Sequence, residues 1–234
     1  MYFLGIDLGS SSIKLSVLNA ETEKCMASIS VPDFELEMKA PRHGWAEQEP
    51  EMWWQYVKEG IAKLKEVHQI EIEKIKGIGI AYQMHGLVLT DENLNPVRSS
   101  IIWCDSRAAS IGESIYNKIG AEACQEQILG SPGNFTASKL KWVKDNQPEV
   151  YAKAKYMMLP GDFIAAKFSG VAQTSTSGLS EAALWNFKEN RLATEILEAM
   201  DISEEIIPEI VSNFGKQAII DKEIAAGLGL SKDV

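Results

Sequence analysis

Cysteine is scarce in this chain. Its 234 residues hold three, Cys25, Cys104 and Cys124, with no CxxC pair among them. An odd count without paired spacing excludes a disulfide framework, offers no zinc-ligand set, and fits a reducing compartment. Basic charge is also short: 23 Lys and Arg stand against 33 Asp and Glu, a net charge of -10. That balance argues against nucleic acid or an anionic membrane as the partner. It leaves room for a small anion at a locally positive site. No apolar run approaches the roughly 18 residues that span a membrane. The opening MYFLGIDLGS has no basic stretch before its apolar residues and meets an acid at Asp7. No secretory signal is expected there, and the cytoplasm is the expected location. No repeat of fixed period occurs, and the P-loop pattern GxxxxGK[ST] is missing.

What is present builds a core. Hydrophobic residues make up 45% of the chain and charged residues 24%, a globular balance. MYFLGIDL is a short apolar run. In IKLSVLNA, Ile13, Leu15 and Val17 alternate with Lys14, Ser16 and Leu18, which predicts a half-buried strand. KCMASISVP is a third strand stopped by Pro32, so the chain opens on an antiparallel meander. EMKAPRHGWAEQEP reads as a loop. A helix is expected from Pro50, with Trp54, Val57, Ile61, Leu64 and His68 on its core face. KIKGIGIAYQMHG reads as a buried strand, LVLTDENLNPV as a strand entering a turn, and SSIIWC as a further strand, with Asp105 placed to cap the next helix. From Ser106 onward the pattern is mainly helical: NFTASKLKWVKDN capped near Thr136, PEVYAKA, then YMMLPGDFIAAKFSG as strand and helix ending near Gly170. SEAALWNF and LATEILEAM read as further helices or turns. Strands alternating with helices predict one α/β domain over 1–234 with a mixed β-sheet flanked by helices.

Three stretches carry chemistry. GIDLGSSSIK sets Asp7 at the end of the first apolar run and follows it with Gly9, Ser10, Ser11 and Ser12. An ordinary hairpin uses the same residue types. A phosphate site also does: Gly9 admits close backbone approach, the serines donate amide and hydroxyl hydrogens, and Asp7 can act through a magnesium ion. GIGIAYQMHGLVL puts Gln83, Met84 and His85 at a strand end, where ligands of α/β sheets bind. Met84 can equally fill a core and His85 close a turn, while Gln83 and His85 can pair with a polyol. IIWCDSRAA puts Trp103 and Asp105 at another strand end; an indole face beside hydroxyl-binding groups suits the C–H face of a sugar.

Taken in order, GIDLGSSSIK, HGWAEQEPEMWW, GIGIAYQMHG, IIWCDSRA, GNFTASKLKWVKDNQPEVY, MMLPGDFIAAKFSG and TSTSGLSEAALWNF resemble the N-terminal domain of the FGGY carbohydrate kinases. QMHG followed by WCDSRA is most similar to the xylulokinase branch. The resemblance implies a ribonuclease H-like domain of the actin-like ATPase superfamily. It implies transfer of the γ-phosphoryl group of ATP to a sugar hydroxyl, D-xylulose foremost, with ribulose, gluconate or glycerol as alternatives. Asp7 is then catalytic and beside the magnesium, Gly9, Ser10, Ser11 and Ser12 bind phosphate, and Gln83, Met84, His85, Trp103 and Asp105 lie at the sugar. The implied partners are a small-molecule sugar and ATP, with no nucleic acid or membrane, and a homodimer is left open.

The chain departs from the family pattern in two ways. The Gly-rich loop whose carboxylate serves as base opens the family's second domain, and no such loop precedes the final GLGLSKDV. The chain is therefore expected to correspond to the first domain and to be inactive as a kinase by itself. Serine at position 10 replaces a common threonine and keeps the hydroxyl, whereas STSGLSEAA lacks an aspartate that some relatives carry. A non-catalytic sugar-binding module of the same fold, or an actin-like ATPase without a sugar substrate, are the rival readings. QMHG and WCDSRA count against the second.

Overall fold

The computed structural model describes residues 1–234. Strands β1 (Tyr2–Leu8), β2 (Ile13–Asn19) and β3 (Lys24–Val31) form the expected antiparallel meander, with Asp7 opposite Lys14. Alternation decides which face is buried: Leu4, Ile6, Leu8, Ile13, Leu15 and Val17 point to one side and are almost wholly covered. The short β4 (Glu47–Gln48) interrupts the stretch expected to be all loop. Helix α1 (Pro50–Glu66) begins with proline in its first turn and buries Trp53, Trp54, Val57, Ile61 and Leu64 against the sheet. Gly60 lets α1 lie close, since a Cβ there would meet Leu15 Cδ1 at 2.5 Å. His68 was expected on this face. The helix ends before it, so it is exposed.

Strand β5 (Ile75–Tyr82) runs parallel to β1 and completes a mixed sheet of order β3-β2-β1-β5. It is not the fully buried strand expected. Ile78, Ile80 and Tyr82 share the core face with Leu4, Ile6 and Leu8, but β5 lies at the sheet edge and they are half-buried. Gly77, Gly79 and Ala81 occupy the opposite face.

Beyond β5 the strands are short. β6 (Val88–Thr90) pairs with β8 (Tyr156–Met158), and β7 (Ser100–Ile101) pairs with β4. Between β7 and β8 come α2 (Ala109–Ile119), α3 (Ala121–Ile128), α4 (Thr136–Asn146) and α5 (Pro148–Tyr151). Helix α6 (Pro160–Ser169) follows β8 and stops at Gly170, in the left-handed region at φ 73. It joins α1 on the covered face of the sheet, where Trp54 and Phe168 meet edge to face at 4.8 Å. Then come β9 (Gln173–Ser175), α7 (Thr176–Glu181), the hairpin β10 (Trp185–Asn186) and β11 (Arg191–Leu192), α8 (Thr194–Ala199), β12 (Glu209–Val211) parallel to β9, and α9 (Lys222–Leu228).

The apolar interior forms two clusters. The larger, of 30 residues, joins the four-stranded sheet to α1 and α6. The second, of 20 residues, binds α2, α3, α4, α7 and α8 together. No helix is long and apolar enough to cross a membrane.

Candidate active site

Residues named from sequence gather where β1 and β5 end side by side. Asp7 stands opposite Ala81, and the Gln83 N–H donates to Leu8 O at 2.8 Å. Asp7 lies on the open face, its side chain 55% exposed, with Lys14 Nζ 3.7 Å away. The turn after it is tight: Gly9 N–H donates to Ser12 O, and a Cβ on Gly9 would lie 2.8 Å from that oxygen. Glycine is required there. The N–H groups of Ser10, Ser11 and Ser12 have no acceptor within the chain. Consecutive free amides of this kind make an anion-binding concavity.

Trp103 reaches this turn, its Nε1–H donating to Ser10 Oγ at 3.2 Å while half its surface stays open. Met84 is likewise 55% exposed, so neither side chain is core filling. Gln48 ties the segments from beneath. Its buried amide donates to Ser10 O at 2.7 Å and accepts from Trp53 Nε1 and Gln83 Nε2 at 3.2 and 3.3 Å. Gln83 is therefore turned inward, and its Oε1 is buried without a partner.

Asp105 is wholly buried. Its carboxylate accepts from the Ala46 N–H at 2.6 Å, the Arg107 N–H at 2.9 Å, and Arg107 Nε and Nη2 at 3.0 to 2.7 Å. It does not cap α2, whose N-cap is Ala108 with no side-chain bond. The Arg107 side chain is 1% exposed and packs against the rings of Trp45 and Trp142, 3.8 and 4.9 Å from their centroids. Glu47 bonds Arg98 and stands 2.7 Å from Arg107 Nη1. Burial lowers Arg98, against the pull of Glu47. Asp105 thus lies in the foundation under Trp103.

His85 has φ 56, in the left-handed region. Its N–H donates to Glu181 Oε1 at 2.5 Å, its Nδ1 is 3.0 Å from Glu181 O, and its ring stacks on Phe135 at 4.1 Å. The buried Lys139 donates to His85 O and Ile102 O at 2.6 and 3.0 Å. Burial pushes Lys139 down to about 8, against the charge of Asp105. Thr136, expected as a helix cap, is the first residue of α4 and donates to Gly86 O instead. Gln48, Arg107, Lys139 and Glu181 carry no local periodic signal, and sequence reasoning missed them. All four did stand inside stretches singled out from sequence, HGWAEQEP, IIWCDSRA, NFTASKLKW and TSTSGLSEAA.

No group of three or more His, Cys, Asp or Glu side chains is placed to hold a metal ion. Asp7 is a lone carboxylate beside free amides. That donor set fits magnesium shared among one carboxylate, phosphate oxygens and water, and no all-protein cage. A hollow of about 1290 Å³ lies elsewhere, beside the open sheet face and the β5 edge near Phe3, Leu18 and Phe214. It contains none of these residues.

Residues 2–234 match the FGGY family of carbohydrate kinases, N-terminal domain. The chain belongs to this family. As an FGGY chain it is 30% identical over 237 residues to a xylulose kinase of Lactococcus lactis subsp. lactis (strain IL1403), covering 100% of this chain and 46% of that one. A xylulose kinase of Escherichia coli (strain K12) is 28% identical, with 98% and 46% covered. Among solved structures, a xyloylose kinase from Brucella ovis superposes with a TM-score of 0.88 at 26% identity, covering 99% of this chain and 46% of that one. A gluconate kinase from Lactobacillus acidophilus gives 0.87 at 25%, with the same coverage. The fold is that of the FGGY kinases, the actin-like ATPase or ribonuclease H-like arrangement expected from sequence. The chain spans less than half the length of these relatives.

Proposed function

We propose that this chain is the sugar-binding and first phosphate-loop portion of an ATP-dependent sugar kinase, with D-xylulose as the acceptor. The observation that carries the reading is the hydrogen bond from Trp103 to Ser10. It couples the free-amide turn to the WCDSRA segment, and Gln48 ties the same turn to Gln83 of QMHG, so a phosphate and a sugar would meet at one strand end. Xylulose kinases among the curated relatives support the choice of ketose.

In this reading the N–H groups of Ser10, Ser11 and Ser12 orient phosphate oxygens, and Gly9 keeps the backbone close to them. Trp103 offers an apolar face to the sugar, Met84 lines it, and His85 pairs with a hydroxyl. Gln83 and Asp105 support these groups from within. Asp7 would hold the magnesium, which when bound neutralises charge on the transferred phosphoryl group. Phosphoryl transfer needs chiefly such positioning and charge stabilisation. The base that takes the hydroxyl proton and the adenosine pocket are assigned to the length that the relatives have beyond this match. Residues 1–234 then act as one unit, in the cytoplasm.

The test is a panel of ketoses, aldonates and polyols given to the intact protein with ATP, read as ADP release. D-Xylulose is expected to have the highest kcat/KM. Preference for gluconate or glycerol overturns the substrate, and no sugar-dependent ADP at all overturns the kinase reading.

A further inference from the structure

Lys139 is a charged side chain with no exposed surface and no carboxylate hydrogen-bonded to it. Burying an ammonium is costly unless it is satisfied. Here it is satisfied by two carbonyls, His85 O and Ile102 O, which belong to the two separate substrate segments. Two residues at the start of α4 do the same work. Thr136 Oγ1 donates to Gly86 O at 3.2 Å, and Asn134 Nδ2 donates to Asp105 O. The first turns of α4 therefore grip the backbone of 85–86 and of 102–105 together.

The grip on His85 is complete. Its N–H is held by the Glu181 carboxylate, its carbonyl by Lys139, and its ring plane by Phe135, with 20° between the rings. The partner of Nδ1 is the Glu181 backbone carbonyl. A carbonyl oxygen only accepts, so Nδ1 must carry the proton. In the neutral ring Nε2 is then an acceptor. It has no partner in the chain and is not among the buried unpartnered atoms. Burial lowers the His85 pKa against the hydrogen bond to the Glu181 carbonyl, and the nearby Lys139 charge adds to the lowering, which favours the neutral ring.

We propose that Lys139 and Glu181 are positioning residues that lock His85 as the Nδ1–H tautomer, leaving Nε2 free to accept a hydrogen bond from a substrate hydroxyl. The sugar part of this rests on the function proposed above; the tautomer part does not. The arrangement selects a hydroxyl at this point and disfavours a carboxylate, which has no hydrogen to give.

The ring nitrogens of the ¹⁵N-labelled chain report the tautomer directly at pH 7.5. There are only three histidines, and the exposed His43 and His68 serve as internal references. His85 is expected to show protonated Nδ1 and bare Nε2. Lys139→Met and Glu181→Ala release the His85 carbonyl and N–H that hold its ring against the Glu181 backbone carbonyl, so each should mix the tautomers, while Glu181→Gln, which keeps a side-chain acceptor for the His85 N–H, should not. In the intact enzyme the first two should raise KM for D-xylulose about tenfold or more with kcat changed less than about threefold. A wild-type ring protonated on Nε2 overturns the proposal, whatever the variants do. So do folded variants that leave both tautomer and KM unmoved. If the tautomer behaves as expected while no ketose is phosphorylated, the positioning stands and the sugar reading falls.

Discussion

Replacing Asp105 by alanine separates a sugar contact from a structural one. The carboxylate accepts five hydrogen bonds, one from the Ala46 N–H and four from Arg107. The Arg107 side chain is 1% exposed and its remaining neighbours are two indole faces and Glu47. Removing Asp105 leaves a buried guanidinium short of a counter-charge and a buried N–H without an acceptor. Breaking such a pair from one side costs about 3–5 kcal/mol. In a chain of this size each kcal/mol moves the unfolding temperature by about 2–4 °C. The expected drop is therefore roughly 6–20 °C by calorimetry. Asp105→Asn keeps one acceptor oxygen, enough for Ala46, while losing the charge and the second acceptor, so its drop should be smaller than that of alanine. An alanine variant within about 2 °C of wild type, with its affinity for ketose lost, would refute this account and return Asp105 to the sugar.

Local rules made part of this molecule readable in advance. Period-two alternation fixed β2 and its covered face, and an aspartate closing an apolar run marked the end of β1. Gly9 was read as admitting close approach to a phosphate; what the structure shows is a turn so tight that a Cβ there would lie 2.8 Å from Ser12 O. What stayed hidden is long-range. Gln48 meets Gln83 across 35 positions, Lys139 meets His85 across 54, and Glu181 meets His85 across 96. No periodicity tells a lysine in an amphipathic helix that its charge will be spent on two carbonyls. Asp105 misled for the related reason that an acid after a strand has the form of a helix cap, and nothing local marks Arg107 as its buried partner. β5 misled because an apolar run carries no mark of whether its strand is central or at an edge. Recognition of the family was easier than recognition of the supports, because motifs in order survive without any statement of what they touch.

Two further perturbations probe charge at opposite sides of the sheet end. Asp7 is exposed and meets only Lys14 at 3.7 Å, a surface pair worth about 0–1 kcal/mol; Asp7→Ala should leave the unfolding temperature almost unchanged yet, on the proposed function, cut turnover of the intact protein about a hundredfold or more, the scale of losing a charge-stabilising group. A large loss of stability with turnover retained would make Asp7 structural. Asp162, in the first turn of α6, is buried and accepts from the Leu159 N–H and from Thr174 Oγ1 at 3.1 and 2.9 Å. Burial pushes it up to about 7 from an ordinary 3.8, and the two hydrogen bonds only partly oppose this. The folded chain then holds a proton that the unfolded chain has already lost. This group's contribution is full below about 3.8 and declines as pH rises to about 7. Asp162→Asn offers an uncharged acceptor to the same two donors and removes that slope. Urea midpoints measured from pH 5 to 8 should show wild type losing stability relative to the asparagine variant up to pH 7 and running parallel above it. Parallel curves over the whole range would mean that Asp162 is ionised in the folded chain throughout, and that its two hydrogen bonds outweigh its burial.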